Sequence, residues 1–253
     1  MTAATETAPH PPATEFPALA VVIPARNEEH RLARCLRAVA AADARLRAAH
    51  PSAPLTRVVV VLDRCTDRSH AVVADWPAVE VLTCQFGNVG AARAAGVNHL
   101  IGDPTAPLQP GVPHCIACTD ADSAVPTDWL RNHISHARAD TDLLLGLVRP
   151  DPAEISPNMR SRWLDGYRAA DGHPHVHGAN MGIRTRAYRR AGGFPSLPEH
   201  EDVILTERIR MLGGRVISTY LSPVLTSART HGRTPGGMAA HLAALADQLH
   251  ITE

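Results

Sequence analysis

Three short apolar segments, each followed by a polar loop and a helical pattern, restrict this chain to a small set of folds. The segments are residues 19–24, 58–62 and 79–82. A run of this length without polar alternation is typical of a strand buried on both faces, as in a parallel sheet. After the first run, Leu32 and Leu36 begin an apolar face at helical spacing. We therefore predict a right-handed, Rossmann-like α/β fold with a mostly parallel sheet flanked by helices.

The length of the chain favours one large domain. It has 253 residues, of which 45% are hydrophobic, and this is enough for a substantial core. Residues 1–17 are rich in alanine, threonine and proline without periodicity, so we expect a disordered tail there. The folded domain should occupy residues 18–253.

Charge and cysteine content exclude several classes of protein. The chain has 25 lysines and arginines against 25 acidic residues, and 4% aromatic residues, which is unlike a nucleic-acid binder. Five cysteines without a secretory signal indicate reduced thiols and a cytoplasmic location. Cys115 and Cys118 would point to opposite faces of a strand, so we do not expect a zinc site. No apolar run reaches the roughly 18 residues of a membrane span, so we expect no integral membrane contact.

An acidic motif follows a fourth apolar run. Residues 114–118 are mostly apolar, and Asp120 and Asp122 come directly after them, before a helix start near Pro126. Ligands of parallel α/β sheets bind at the carboxyl ends of strands, and two such carboxylates can share a divalent cation with a diphosphate. The alternative is an ordinary acidic loop that caps the next helix.

The rest of the chain alternates further strands and helices. Residues 175–183 alternate in a way that predicts an extended strand with one face lining a site. His175 and His177 would then share that face, either as ligands or as structural polar groups. Apart from this strand, we predict strands at 142–148, 216–220 and 224–226, and helices at 91–100, 159–170, 187–191, from 199 to about 212, and 238–249.

Six motifs in order carry a resemblance to a known family. They are Val-Ile-Pro-Ala-Arg-Asn-Glu (22–28), Val-Leu-Asp-Arg-Cys-Thr-Asp (61–67), Gly-Asn-Val-Gly-Ala-Ala-Arg (87–93), Thr-Asp-Ala-Asp (119–122), Gly-Ala-Asn-Met-Gly (178–182) and Glu-Asp (201–202). This order resembles the GT-A glycosyltransferases of family 2. The resemblance implies a nucleotide-sugar donor, a divalent cation such as Mn²⁺ or Mg²⁺, and direct sugar transfer to a hydroxyl-bearing acceptor with inversion. Many members carry Asp-Asp where this chain has Leu62 and Asp63, so the donor base is less certain.

From the resemblance we expect the domain to consist of two functional halves. We expect a nucleotide-binding half in residues 18–125, an acceptor half in 126–236 and a C-terminal helix in 237–253. For Arg26 and Glu28 the alternative is a surface helix start, and for Gly90 it is helix packing. The expected nucleotide-binding residues are Pro24, Ala25, Arg26, Glu28, Asp63, Asn88, Gly90, Arg93 and Asp120.

Catalysis needs a base for the acceptor hydroxyl and positive charge for the leaving diphosphate. Asp202 is the candidate base with Glu201 beside it, although both acids also complement the dipole of a helix N-terminus. The family pattern implies a histidine near the end of the chain as a further metal ligand, although the basic segment around it can also be a solvated loop. The expected metal ligands are Asp122, Asp120 and His231; the diphosphate contacts are Arg229 and Arg233; the acceptor contacts are His177, Gly178, Ala179 and Asn180.

Two rival classes remain open on the sequence. A nucleotidyltransferase of related fold would want a glycine-rich, basic loop after the first strand, and residues 24–29 contain no glycine. A non-catalytic nucleotide-binding module would keep the sheet without needing Asp122 and Asp202 together. A dehydrogenase is poorly supported, since no G-x-G-x-x-G follows a strand. Without a membrane segment, a small-molecule or glycoside acceptor is favoured over a lipid.

Overall fold

The computed structural model describes residues 17–103, 105–232 and 236–250. The predicted disorder of residues 1–17 therefore lies almost wholly outside the described part. Strands and helices alternate as expected for an α/β fold. The strands are β1 (Leu19–Ala25), β2 (Arg57–Asp63), β3 (Val79–Cys84), β4 (Cys115–Cys118), β5 (Ser123–Ala124), β6 (Leu143–Pro150), β7 (Met181–Arg184) and β8 (Val216–Thr226). The helices are α1 (Leu32–Ala49), α2 (Ser69–Ala74), α3 (Val89–Ile101), α4 (Trp129–Arg138), α5 (Pro157–Asp165), α6 (Thr185–Arg190), α7 (Glu201–Met211) and α8 (Met238–His250).

The strands described form one sheet in the order β3-β2-β1-β4-β7-β6-β8-β5. The first four of these run parallel, as the buried apolar runs predict. Strand β7 runs antiparallel to both of its neighbours, β4 and β6. The sheet is therefore parallel in its N-terminal half and mixed in its C-terminal half, and the insertion of β7 was not predicted.

Alternate residues of the central strands bury two separate cores. Val21 and Ile23 of β1 pack with α1 and with Trp129 of α4 on one face. Ala20 and Val22 pack on the other face with helices α3 and α7. Cys115 and Cys118 lie in different cores, on opposite faces of β4 as predicted, and the five cysteines are free.

The segment before β7 differs from the prediction. Only Met181–Arg184 is a strand, whereas residues 175–180 form a loop and turn. The side chain of Asn180 explains why strand pairing starts only at Met181. Its amide oxygen accepts from Nε1 of Trp129 at 2.8 Å, and its amide nitrogen donates to the carbonyl of Leu147 at 2.8 Å. These bonds anchor the turn to α4 and β6, so the residues before it leave the sheet.

Two predicted strands near the C-terminus form one. Strand β8 runs continuously from Val216 to Thr226, beside β6, with an irregular register between Gly146 and Val148. Ser222 has a left-handed φ of 54° at this irregularity. Among the residues described, the helices are all too short or too polar to cross a bilayer.

Candidate active site

The carboxyl ends of β1, β2 and β4 lie along one edge of the sheet because these strands are parallel. A cavity of about 190 Å³ opens there. This geometry brings together most of the residues predicted for nucleotide binding. Its lining includes Pro24, Ala25, Arg26, Glu28, Asp63, Asn88, Asp120, Asp122 and Arg229.

Asp63 holds the turn that precedes α3. Its carboxylate accepts from the backbone N–H of Gly87 at 2.9 Å and from that of Asn88 at 3.0 Å. The side chain of Asn88 in turn caps α3 by accepting from Ala91 N at 2.9 Å. Each oxygen of Asp63 keeps a lone pair for a further donor, so the residue can shape the cavity wall and bind a ligand.

Gly90 lies against the backbone rather than in the smaller cavity. A Cβ placed on it would stand 2.2 Å from the carbonyl oxygen of Pro195, and its own N–H donates to Leu197 O at 3.1 Å. This close approach of α3 to residues 195–197 requires glycine. The packing alternative raised by the sequence therefore has direct geometric support.

Arg93 points to two carboxylates instead of to the smaller cavity. Its side chain is 5% exposed and forms ion pairs with Asp120 and with Glu201. A Cβ on Gly178 would stand 2.5 Å from the same guanidinium. Arg93 thereby ties the end of β4 to the start of α7, a role that its sequence position did not indicate.

Asp122 faces Arg229 across the site. Nη2 of Arg229 lies 2.8 Å from Asp122 Oδ2, and Nη1 lies 2.9 Å from Glu28 Oε1. Burial, followed by the negative charge of Asp120, raises the pKa of Asp122 to about 6 despite the opposing charge of Arg229. Three carboxylates around the site, those of Glu28, Asp120 and Asp122, thus share the guanidinium groups of Arg93 and Arg229.

Asp202 lies at the first turn of α7, in a second and larger cavity of about 670 Å³. Its Oδ2 accepts from the N–H of Gly178 at 2.6 Å and its Oδ1 from that of Val203 at 2.8 Å. Glu201 beside it is 3% exposed and paired with Arg93. Of the two candidate bases, Asp202 is the one whose position faces open space.

The two cavities meet at the acidic motif. Asp120, Asp122 and Arg229 line both of them. A ligand that spans the cavities would thus run from the ends of β1 and β2, past Asp122, to Asp202. The two cavities therefore form one continuous space at this edge of the sheet.

The loop before β7 supplies part of the larger cavity. His177, Gly178 and Ala179 line it, whereas the side chain of Asn180 is 2% exposed and bonded within the core. His177 bonds through Nε2 to the hydroxyl of Tyr167 at 3.0 Å. Burial, with smaller contributions from neighbouring His175 and His173, lowers the pKa of His177 to about 4.

Tyr167 and Trp163, which sequence reasoning missed, also line the larger cavity. They are four residues apart, at the end of α5 and just beyond it, with ring centroids separated by 5.0 Å. The signal in the sequence was this aromatic pair at helical spacing, together with the alternation of His173, His175 and His177.

The sequence profile described as Glycosyl transferase family 2 matches residues 20–192. The chain belongs to this family. No curated protein sequence matches it at a significant level. The structure of this family 2 domain is similar to solved glycosyltransferases, and its fold is the GT-A fold.

Three solved structures have folds similar to that of this family 2 domain. The crystal structure of S. aureus TarS 1–349 in complex with UDP-GlcNAc is 14% identical with a TM-score of 0.64, over 87% of this chain and 61% of that one. The mannosyltransferase PcManGT from Pyrobaculum calidifontis, in complex with GDP-Man and Mn²⁺, is 21% identical with a TM-score of 0.61, over 90% and 61% of the two chains. A mycobacterial protein is 14% identical with a TM-score of 0.54, over 92% and 75%. The chain thus spans about 61% of the TarS 1–349 and mannosyltransferase structures that it matches.

The side chains around the acidic motif of this family 2 domain supply some of the ligands that a hard divalent cation needs. Asp120 and Asp122 offer carboxylate oxygens, which Mg²⁺ and Mn²⁺ prefer. The described residues contain no group of three or more histidine, cysteine or acidic side chains arranged to hold a metal ion. The remaining coordination positions would fall to phosphate oxygens and water, and the negative charge around Asp122 is consistent with such an arrangement.

The C-terminal segment places Arg229 in both cavities, whereas His231 lies outside them. His231 is exposed, its Nδ1 lies 3.2 Å from the hydroxyl of Thr230, and it lines neither cavity described above. Arg233 lies outside the described residues. Gly232, Gly236 and Gly237 do line the larger cavity, so the segment runs along its edge.

Proposed function

We propose that this family 2 domain is an enzyme that transfers a sugar from a nucleotide-diphosphate sugar to a hydroxyl group of an acceptor, with inversion at the anomeric carbon. The observation that carries the proposal is the placement of Asp122 and Asp202 in one cavity of about 670 Å³. That cavity continues into the smaller one at the strand ends through Asp120 and Asp122. Such an arrangement suits a two-part ligand with the reacting bond between the parts.

The smaller cavity would hold the nucleoside. Asp63 has lone pairs free for a base N–H or a ribose hydroxyl, and Pro24, Ala25 and Arg26 form the adjoining wall. Complexes of the similar structures with UDP-GlcNAc and with GDP-Man support a donor of this chemical class. Arg229 would exchange its bonds with Asp122 and Glu28 for bonds to the diphosphate, with Arg233 as its predicted partner.

Asp202 would act as the general base. Its carboxylate is fixed by the N–H groups of Gly178 and Val203 and faces the larger cavity. An acceptor hydroxyl bound there would give its proton to Asp202 as its oxygen attacks the sugar. Attack from the side opposite the leaving diphosphate gives inversion in a single displacement. Glu201 would support this by holding Arg93 in place.

Asp122 and Asp120 would hold a divalent cation, Mn²⁺ or Mg²⁺, with His231 as the predicted third protein ligand. When bound, the cation would stabilise the charge that develops on the leaving diphosphate. The complex of the similar mannosyltransferase with Mn²⁺ supports this choice of metal.

The acceptor would be a small molecule or glycoside bound by residues 126–236, while residues 18–125 would hold the donor and α8 would be the C-terminal helix that follows. His177, Gly178 and Ala179 line the acceptor space, and Asn180 would fix their turn from beneath. Five free cysteines fit a cytoplasmic location, because thiols stay reduced there.

A thermal-shift screen of nucleotide sugars with and without Mn²⁺ tests the proposal. Binding to the folded state raises Tm, by an amount that grows with ligand concentration over Kd. We expect at least one UDP- or GDP-sugar to raise Tm in a Mn²⁺-dependent way and to be slowly hydrolysed. Binding without any hydrolysis or transfer would favour a nucleotide-binding module, and no binding at all would refute the proposal.

A further inference from the structure

Aromatic and imidazole rings form a continuous wall on one side of the larger cavity. We call Trp163, Tyr167, His175, His177 and His241 the ring wall. Tyr167 stacks on His175 with ring centroids 4.2 Å apart, and His175 stacks on His177 at 5.9 Å. Trp163 meets Tyr167 at 5.0 Å and His241 at 5.1 Å. The contact with His241 joins α5 to α8, so the wall is built by three separate parts of the chain.

All five members of the ring wall line the cavity that contains Asp202. Cavities of this volume that combine aromatic side chains with a few polar groups are typical of small-molecule sites. The ring wall therefore borders the space from which Asp202 would take a proton.

The ring wall also offers uncharged hydrogen-bonding groups. The low pKa of His177, about 4, leaves its imidazole neutral at neutral pH. A neutral imidazole has one N–H donor and one acceptor nitrogen, which suits hydroxyl groups. Nε1 of Trp163 and Nε2 of His175 are buried and have no hydrogen-bond partner among the described residues. A ligand hydroxyl that reached these nitrogens would satisfy groups that are costly to leave unpaired.

The charges around the cavity disfavour an anionic acceptor. Asp120, Asp122, Glu199 and Asp202 line the same space. Of the three arginines that line it, Arg93 and Arg229 are already bonded to carboxylates, which leaves Arg162 against these acidic groups. A phosphorylated or carboxylated acceptor would therefore meet more negative than positive charge.

From these contacts we propose that the ring wall binds an uncharged sugar ring of a glycoside acceptor, with its C–H face on the exposed ring of His241, which Trp163 supports edge to face, and its hydroxyl groups bonded to the imidazoles of His175 and His177. Aromatic faces bind flat apolar surfaces, and the imidazoles supply the polar contacts that orient the ring. This inference rests on the proposed function, since it names the substrate class that Asp202 would deprotonate.

The test measures binding of neutral glycosides to the full chain by ligand-observed NMR. The probes are the methyl glycosides of glucose, mannose and galactose, each compared with the corresponding sugar 6-phosphate, with and without UDP or GDP and Mn²⁺. The variants are Trp163→Leu and His241→Leu, with Trp163→Phe as the conservative change. Trp76→Phe is the matched control, because Trp76 lies just after α2 and lines neither cavity.

We expect at least one neutral glycoside to bind, and each leucine variant to weaken it about tenfold, as loss of an aromatic contact does. Trp163→Phe should weaken it less than about threefold, and Trp76→Phe should leave it unchanged. His241 is exposed, so His241→Leu keeps the test valid if Trp163→Leu fails to fold. Tighter binding of the sugar phosphates, or equal glycoside binding by His241→Leu and the wild type, would overturn the inference.

Donor hydrolysis by the wild type, measured alongside, separates this inference from the proposed function. Intact donor hydrolysis with no glycoside binding under any condition would refute the ring wall as a sugar site and leave the proposed function standing. Glycoside binding without donor binding or hydrolysis would refute the proposed transfer and leave the sugar site standing.

Discussion

The guanidinium of Arg93 and the carboxylate of Glu201 form a buried ion pair between residues 108 positions apart, with side chains that are 5% and 4% exposed. The same guanidinium also holds Asp120. One buried cation thus joins the acidic motif after β4 to the helix that carries Asp202. The distance between the two halves of the candidate site depends on this contact.

Replacing Arg93 should be strongly destabilising. Arg93→Met leaves Glu201 buried without a counter-charge, which costs about 3–5 kcal/mol in the free energy of unfolding. Arg210→Met is the matched control, since its partner Glu207 is half exposed and such pairs contribute about 0–1 kcal/mol. Urea unfolding monitored by circular dichroism measures both changes. Equal losses for the two variants would show that the buried pair contributes no more than a surface one.

Asp202→Asn should impair turnover and spare donor binding. The amide oxygen can still accept from Gly178 N, but the side chain can no longer take a proton. We expect donor Kd to change little and turnover to fall by about two to four orders of magnitude. Glu207→Gln, exposed on the same helix, serves as the control. If Asp202→Asn keeps wild-type turnover, another group accepts the proton.

Asp122→Ala should abolish metal-dependent donor binding without unfolding the protein. It removes a carboxylate from a loop rather than an apolar core group, and it relieves the cost of burying that carboxylate beside Asp120, which raises its pKa. Isothermal titration of the nucleotide sugar with and without Mn²⁺ measures the effect, with Asp128→Ala near the start of α4 as a control. Nucleotide affinity that still rises with Mn²⁺ in Asp122→Ala would contradict the assignment.

His231→Ala tests the predicted ligand in the C-terminal segment. If this segment closes over the bound nucleotide, the variant should weaken Mn²⁺ binding in the nucleotide complex, measured by electron paramagnetic resonance. The segment should also resist protease when nucleotide and Mn²⁺ are both present. Unchanged metal affinity together with unchanged cleavage would leave Asp122 as the main protein ligand.

The pH dependence of stability should report on His133. Burial, with a smaller effect of His136, lowers its pKa to about 3, and neither ring nitrogen has a hydrogen-bond partner among the described residues. The unfolded chain binds a proton near pH 6.5 that the folded protein excludes, so stability is present above pH 6.5 and lost as pH falls toward 3. Between pH 7 and pH 5, the wild type should lose about 2 kcal/mol more than His133→Met. The exposed His30→Met should retain the wild-type loss, and equal slopes in all three would refute the prediction.

Local sequence patterns predicted those parts of the fold that depend on near neighbours. Strands β1, β2 and β4 follow from apolar runs, and their parallel pairing brings Asp63 and Asp122 to one edge. The antiparallel insertion of β7 was not predicted, because strand pairing depends on contacts far apart in the chain. For the same reason the sequence predicted a nucleotide contact for Arg93 and not its ion pair with Glu201, which is distant in sequence.

Contacts between residues far apart in the sequence were also missed in the candidate site. The structure brings predicted residues at strand ends and at the start of α7, including Asp202, together in the two cavities. The sequence did not predict that the side chain of Asn180 anchors its turn, because its partners Trp129 and Leu147 belong to other elements. The ring wall was missed for a similar reason, as it is assembled from α5, α8 and the loop before β7.

The position of β7 in the sheet has a consequence for synthesis of the protein. Strand β4 pairs with β1 on one side as soon as residue 118 is available, but its other side awaits residues 181–184. A ribosome adds about 5–20 residues per second, so a central strand of the nascent chain keeps an open edge for on the order of several seconds. Open strand edges pair readily with other chains. The half-made polypeptide, rather than the finished protein, is therefore the form most exposed to aggregation, and slow translation between β4 and β7 should lower the yield of folded protein.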